Sequence, residues 1–155
     1  MSKVKPVVIV ESPAKVKTIE KILGGKFKVL SCMGHLIDLP KSTLGVNIEK
    51  NFEPKWIVVR SKQKVFKQLK KETKSSREIY VATDPDREGE AIGWNLMSQL
   101  ADKEDKNKKK FFRVTFQEIT KDAVLKAFEH PREFDEKKIN AQVARRILDR
   151  IVGYK

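Results

Sequence analysis

Three acids spaced two apart, Asp84, Asp86 and Glu88, follow directly on the β-branched stretch 79–83 and precede a helix-forming run, 91–100. Carboxylates crowded where a strand meets a helix repel one another unless something positive sits between them. In a chain of net charge +13, packing gives no reason for such crowding. A divalent metal held by hard oxygen ligands is the simplest one. An EF-hand loop also carries acids at positions one, three and five and a glycine at six, here Gly89. That pattern fails at position twelve, where Asn95 replaces the bidentate Glu, and upstream, where Ile79-Tyr80-Val81 predicts a strand instead of a helix. A charged helix start, with Glu88 and Glu90 favoured by the macrodipole, is the plainer alternative. It leaves Asp84 and Asp86 unaccounted for.

These acids need a scaffold, and the rest of the chain predicts one. Pro6-Val7-Val8-Ile9-Val10 is a continuous apolar run ending at Glu11, as expected of a strand buried on both faces. Ser12-Pro13 marks a helix start, Ile19, Ile22 and Leu23 its apolar stripe, and Gly24-Gly25 its end. Further strands are predicted over 27–31, 56–60, 78–83 and 111–116, with a loop over 34–40. Further helices are predicted around Val65 and Leu69, over 88–101, and over 120–130 before Pro131. Asp135 caps a last helix whose Ile139, Val143, Ile147 and Ile151 recur every four residues. Strands alternating with helices imply an α/β fold with a mainly parallel sheet. Ligands of such sheets gather at the carboxyl ends of the strands. Glu11 and Asp84 both end strands, so they belong to one rim.

Composition narrows the partners. One hundred and fifty-five residues, 39% apolar and 35% charged, suit one soluble domain with a heavily charged surface. No apolar run approaches the roughly 20 residues that span a bilayer, and no signal peptide is visible. The single Cys32 excludes an internal disulfide and a cysteine-based zinc site and fits a reducing, cytoplasmic setting. Thirty-four Lys and Arg against twenty-one acids favour a polyanionic partner such as nucleic acid. The lysines at 108–110 close a charged loop, 102–110, and read as solvated.

Four blocks of the chain resemble one family. Val8-Ile9-Val10-Glu11-Ser12-Pro13-Ala14-Lys15 and Asp84-Pro85-Asp86-Arg87-Glu88-Gly89-Glu90 resemble the Toprim module of the type IA DNA topoisomerases. Gly34-His35-Leu36-Ile37-Asp38-Leu39-Pro40 resembles the next family block. The run 140–154, with Arg145, Arg146, Asp149 and Tyr154, resembles the first stretch of the family's DNA-gripping domain. One DxDxE motif alone would say little; four blocks in register along the chain say much more. The resemblance implies a Rossmann-like Toprim domain over 1–131 and the start of a helical gripping domain over 132–155.

It also implies chemistry. Family members cut one DNA strand by tyrosyl attack on a phosphodiester, pass another strand through the break, and reseal it. Glu11 matches the acid that exchanges a proton with the 3′ oxygen. Asp84, Asp86 and Glu88, with Glu11 beside them, match the acids that hold Mg²⁺. Lys15 matches a lysine near the scissile phosphate, with first-turn helix lysine as its plain alternative. His35, Arg145, Arg146, Asp149 and Tyr154 match DNA contacts; otherwise His35 is a loop histidine and the arginines solvate a helix face. His130, beside Pro131, reads as structural.

The chain departs from the family in its tyrosines. Only Tyr80 and Tyr154 are present, and neither stands in surroundings like the nucleophile's. The expectation is therefore a piece carrying the metal half of an active site, inactive alone, with single-stranded DNA and the remaining topoisomerase domains as partners, in the cytoplasm on the nucleoid. A Toprim primase or nuclease, or a non-catalytic nucleic-acid-binding module, is the alternative. The blocks around Glu11 and His35 weigh against the first, and four convergent acids against the second.

Overall fold

The computed structural model describes residues 5–33, 36–40, 44–50, 52–101 and 110–153. Four parallel strands form its main sheet: β1 (Val7–Val10), β2 (Lys28–Ser31), β7 (Glu78–Val81) and β8 (Lys110–Arg113), in the order β2-β1-β7-β8. The register pairs Val7 with both Lys28 and Ile79, and Glu78 with Lys110. All four residues of β1 are buried, as an apolar run flanked on both edges and both faces must be.

The connections fix where the helices go. β1 runs through α1 (Pro13–Leu23) to β2 in one direction; β7 runs through α3 (Arg87–Leu100) to β8 in the other. Right-handed crossovers in opposite directions put the two helices on opposite faces of the sheet. One core layer accordingly joins Val8, Val10, Ile19, Leu23 and Val124, from α1 and α4 (Lys121–Glu129), to that face. The other joins Val7, Ile9, Ile79, Leu69, Ile92 and Leu96, from α2 (Gln63–Thr73) and α3. The strand order reverses between β1 and β7, so Glu11 and Asp84 leave the sheet at its topological switch point, where open α/β sheets bind ligands.

The predicted helix ends at Gly24, Thr120 and Asp135 carry the expected chemistry, and the one at Ser12 does not. Gly24 closes α1 at φ 64°, in the left-handed region. Thr120 caps α4 through a 3.2 Å bond from the Ala123 amide, and Asp135 caps α5 (Glu136–Gly153) through the amides of Lys137 and Lys138. Ser12 stands at the N-cap of α1 with extended backbone, but its hydroxyl makes no capping bond.

Three strand expectations change. Only Ile57–Val58 (β6) of the run 56–60 is a strand, and it lies outside the main sheet, paired antiparallel with β3 (Ile37–Asp38). The predicted loop 34–40 therefore contains a strand. A second ribbon pairs β4 (Val46–Asn47) with β5 (Glu53–Pro54). Strands of two residues are too short to show an alternation in sequence. β8 begins at Lys110 and ends at Arg113, three residues before the predicted end, and on its other edge Arg113 pairs with Arg132 across an antiparallel bridge.

Candidate metal and DNA site

The rim forms where two sequence blocks meet. The Glu11 carboxylate, just past β1, accepts the Asp84 amide at 2.7 Å, just past β7. Lys15, in the first turn of α1, donates to Asp84 Oδ1 at 2.7 Å. Asp86 caps α3 by accepting the Gly89 amide at 2.7 Å. Glu88 lies exposed in the first helical turn. Burial pushes the Glu11 pKa above the ordinary carboxylate range; the charges of Asp84 and Asp86 push the same way, against the Asp84 amide and Lys15.

Gly89 is what lets the acidic turn pack this closely on its helix. A Cβ there would stand 2.1 Å from the Asp84 carbonyl oxygen and 2.9 Å from the Asp84 nitrogen. Thr83 completes the contact, its hydroxyl donating to the Gly89 carbonyl at 2.6 Å.

Beneath the rim lies a buried ionic cluster that the sequence pattern did not reveal. Glu90, on α3, and Arg113, at the end of β8, are both fully buried. Arg113 Nε donates to Glu90 Oε1 at 2.8 Å. Its remaining nitrogens donate to the carbonyls of Val81, Thr83, Val114 and Asp84, the last at 2.6 Å. Arg132 donates to both Glu90 oxygens at 2.8 and 2.9 Å, and the Asp135 amide joins them. Burial pushes Glu90 up, but the bonds from Arg132, Asp135 and Arg113 outweigh it and hold its pKa at about 2. One carboxylate thus ties α3, β8 and the start of α5 together, and the guanidinium it fixes grips the backbone from which Asp84 projects.

A cleft of about 470 Å³ opens beside these acids, lined by Lys15, Asp84 and Asp86 and by Gln117 and Glu118 after β8. Glu118 is a further carboxylate there that sequence reasoning missed. The DNA-contact candidates lie elsewhere. Arg146 makes a two-pronged pair with Asp38, Nε to Oδ1 at 2.8 Å and Nη2 to Oδ2 at 2.9 Å. It therefore locks α5 to β3 in this state, where the helical pattern predicted a side chain free of the core. Arg150, in the same helix, donates to the Pro40 carbonyl. Arg145 and Asp149 are exposed. His35 and Tyr154 lie outside the described residues. Tyr80 is not at the rim: its ring packs among Phe27, Phe112 and Phe128 at 5.0–5.5 Å between centroids.

These features have a known counterpart. Residues 6–119 match the model of the Toprim domain. The chain belongs to the Toprim family. Over 96% of its length it is similar to full-length topoisomerase I from Thermotoga maritima, with 49% sequence identity and a TM-score of 0.83. It spans 24% of that chain's length. The two matches together support the Toprim portion of a type IA topoisomerase.

Toprim domains are generally metal-binding, and the donor set of this rim suits a hard divalent ion. Glu11, Asp84 and Asp86 each commit one oxygen to an internal donor, and a carboxylate has capacity beyond one bond. The Lys15 ammonium on Asp84 stands where a cation is wanted. No group of three or more such side chains converges as a ready-made cage among the described residues. Mg²⁺ does not require one, since it keeps several waters and takes one or two carboxylates plus substrate phosphates.

Proposed function

We propose that this chain supplies the metal-binding half of the active site of an enzyme that cuts and reseals one strand of DNA, a type IA topoisomerase. The observation that carries it is the junction at Asp84, whose amide donates to Glu11 Oε1 and whose Oδ1 accepts from Lys15 Nζ, each at 2.7 Å. It joins an acid, a cation and the first member of the acidic triad at the switch point of the sheet.

The roles follow from that junction. Glu11 takes and returns a proton at the 3′ oxygen of the broken strand. Lys15 swings from Asp84 to a phosphate and stabilises negative charge developing there. Asp84, Asp86 and Glu88 would hold Mg²⁺, with Glu11 adjoining, and a metal held there would supply orientation of the phosphate and a counter to its charge. Arg145, Asp149, His35 and Tyr154 contact the DNA strand, and Arg146 does so by exchanging Asp38 for a phosphate. Residues 132–155 begin a gripping unit distinct from the Toprim domain at 1–131. Tyr80 packs in its aromatic cluster away from the rim and Tyr154 is read as a DNA contact, so the chain alone neither relaxes plasmid nor forms a covalent adduct.

A chimera tests this. The matching segment of the Thermotoga enzyme is replaced by this chain, and supercoiled plasmid is supplied with Mg²⁺. Relaxation is expected, together with its loss on Asp84→Asn with Asp86→Asn. A folded chimera that binds DNA but relaxes it equally well with and without those carboxylates would contradict the assignment.

A further inference from the structure

Helix α2 carries Lys64, Lys67 and Lys71 on one stripe, and Lys74, which caps its C-terminus with right-handed helical angles, extends it. Steps of three, four and three residues keep the four side chains within about 80° around the axis, along about 15 Å. All four are exposed, and none has a carboxylate partner among the described residues. The opposite side of the helix, with Val65, Phe66 and Leu69, is packed into the core. The helix's one acid, Glu72, lies off the stripe and is engaged by Lys28 and Gln68. α4, by contrast, mixes signs, with Lys121 and Lys126 beside Asp122 and Glu129. Like charges three and four residues apart each destabilise a helix by a few tenths of a kcal/mol. A single-sign stripe is therefore under self-repulsion that an arriving polyanion relieves.

We propose that the outer face of α2 docks the phosphate backbone of duplex DNA, at a surface separate from the acidic rim. Lysines bind phosphate as point charges and read no sequence. The stripe offers no aromatic platform of the kind that holds single strands by stacking. Nor does it suit a lipid surface, because an interfacial helix inserts an apolar face and that of α2 is already buried. The helix begins at the rim side of the sheet, where Lys62 Nζ donates to the Met33 carbonyl at 3.0 Å. It ends at the opposite edge, where the Ser76 hydroxyl donates to the Lys5 carbonyl at 2.8 Å. A duplex laid along it is thereby led toward the rim, which on the proposed function receives the strand to be cut. The choice of DNA as the polyanion rests on that function.

The test compares three forms of the chain by fluorescence anisotropy across a salt series, with a duplex and with a matched single strand. They are the wild type, a stripe variant (Lys64→Gln, Lys67→Gln, Lys71→Gln, Lys74→Gln) and a charge-matched control (Lys17→Gln, Lys21→Gln, Lys121→Gln, Lys126→Gln). Gln keeps helix propensity close to that of Lys, and circular dichroism checks folding. The stripe variant should lose about tenfold or more in duplex affinity. Its log–log salt slope should fall in magnitude by up to about 3.6, four contacts at about 0.9 each. The control should bind duplex as the wild type does, and the stripe variant should keep most of its affinity for the single strand. Equal losses in the two variants, equal losses for the two DNA forms, or no loss at all would overturn the surface while leaving DNA as the partner. A wild type that binds neither form would overturn the surface and the DNA assignment together.

Discussion

Glu88 and Glu90 stand two residues apart in the first turn of α3 and meet opposite fates. Glu90 is fully buried and receives donors from Arg113, Arg132 and the Asp135 amide. Glu88 is exposed on the rim with Asp86, and Asp84 beside them is half-buried. Below the rim, the carboxylate is saturated by groups of its own chain, so its charge has been used to weld three elements together. On the rim, the internal donors are fewer for each acid: the Asp84 amide reaches Glu11, the Lys15 ammonium Asp84 and the Gly89 amide Asp86. Acids of the first kind serve the fold. Acids of the second kind are held in place by the fold with binding capacity left over.

Removing the buried partner should break the molecule hardest. Glu90→Ala leaves Arg113 buried without its counter-charge, and losing one member of a buried pair costs about 3–5 kcal/mol. Asp86→Asn, by contrast, keeps a capping side chain and should change stability by about 0.5 kcal/mol or less. Urea denaturation of both variants measures the difference. Equal losses would erase the distinction between weld and rim.

Gly89→Ala should act on both regions at once. The added methyl collides with the Asp84 backbone, and overpacking of this kind costs about 1–3 kcal/mol. Because it displaces the turn carrying Asp84, metal binding should fall further than stability does. Parallel metal titration and denaturation would separate the two effects.

Acid should dissolve the weld. Glu90 titrates at about 2 in the folded chain, below its ordinary 4.5. The ionised form is thus favoured by folding. Its contribution is complete above pH about 4.5 and is lost as pH falls toward 2. Thermal denaturation across that window should show the decline in the wild type and a flatter profile in Glu90→Gln, which starts from a lower stability at neutral pH.

The smallest effect expected concerns α5. Arg146→Ala breaks a partly exposed pair with Asp38 and should cost about 1 kcal/mol or less, while Arg145→Ala should cost nothing measurable. An equal cost for both would mean that the Asp38 pair does not anchor the helix.

How much of this was legible in the chain depended on the range of the contacts. The apolar run of β1 and the alternation of strands and helices placed Glu11 and Asp84 on one rim, because both residues simply end strands. The glycine of the acidic block could be seen, but not its reason, which is the approach of the Asp84 backbone. Arg113 was invisible as a functional prop, although a charged residue within Phe111-Phe112-Arg113-Val114 is the sort of interruption that signals a buried partner. Glu90 resembled an ordinary helix-start acid because Arg113 and Arg132 come from 23 and 42 residues away. Arg146 looked like a surface residue for the same reason: helical periodicity carries no trace of Asp38, 108 residues earlier.

The most direct test of the rim as a metal site is paramagnetic broadening by Mn²⁺, a stand-in for Mg²⁺ that reports weak binding. In the amide spectrum of the wild-type chain, broadening should centre on Glu11, Asp84, Asp86 and Glu88 and reverse on adding excess Mg²⁺. It should vanish in Asp84→Asn with Asp86→Asn, while the dispersed spectrum of a folded chain persists. Broadening centred on another part of the chain, or unchanged in that folded double variant, would contradict the account.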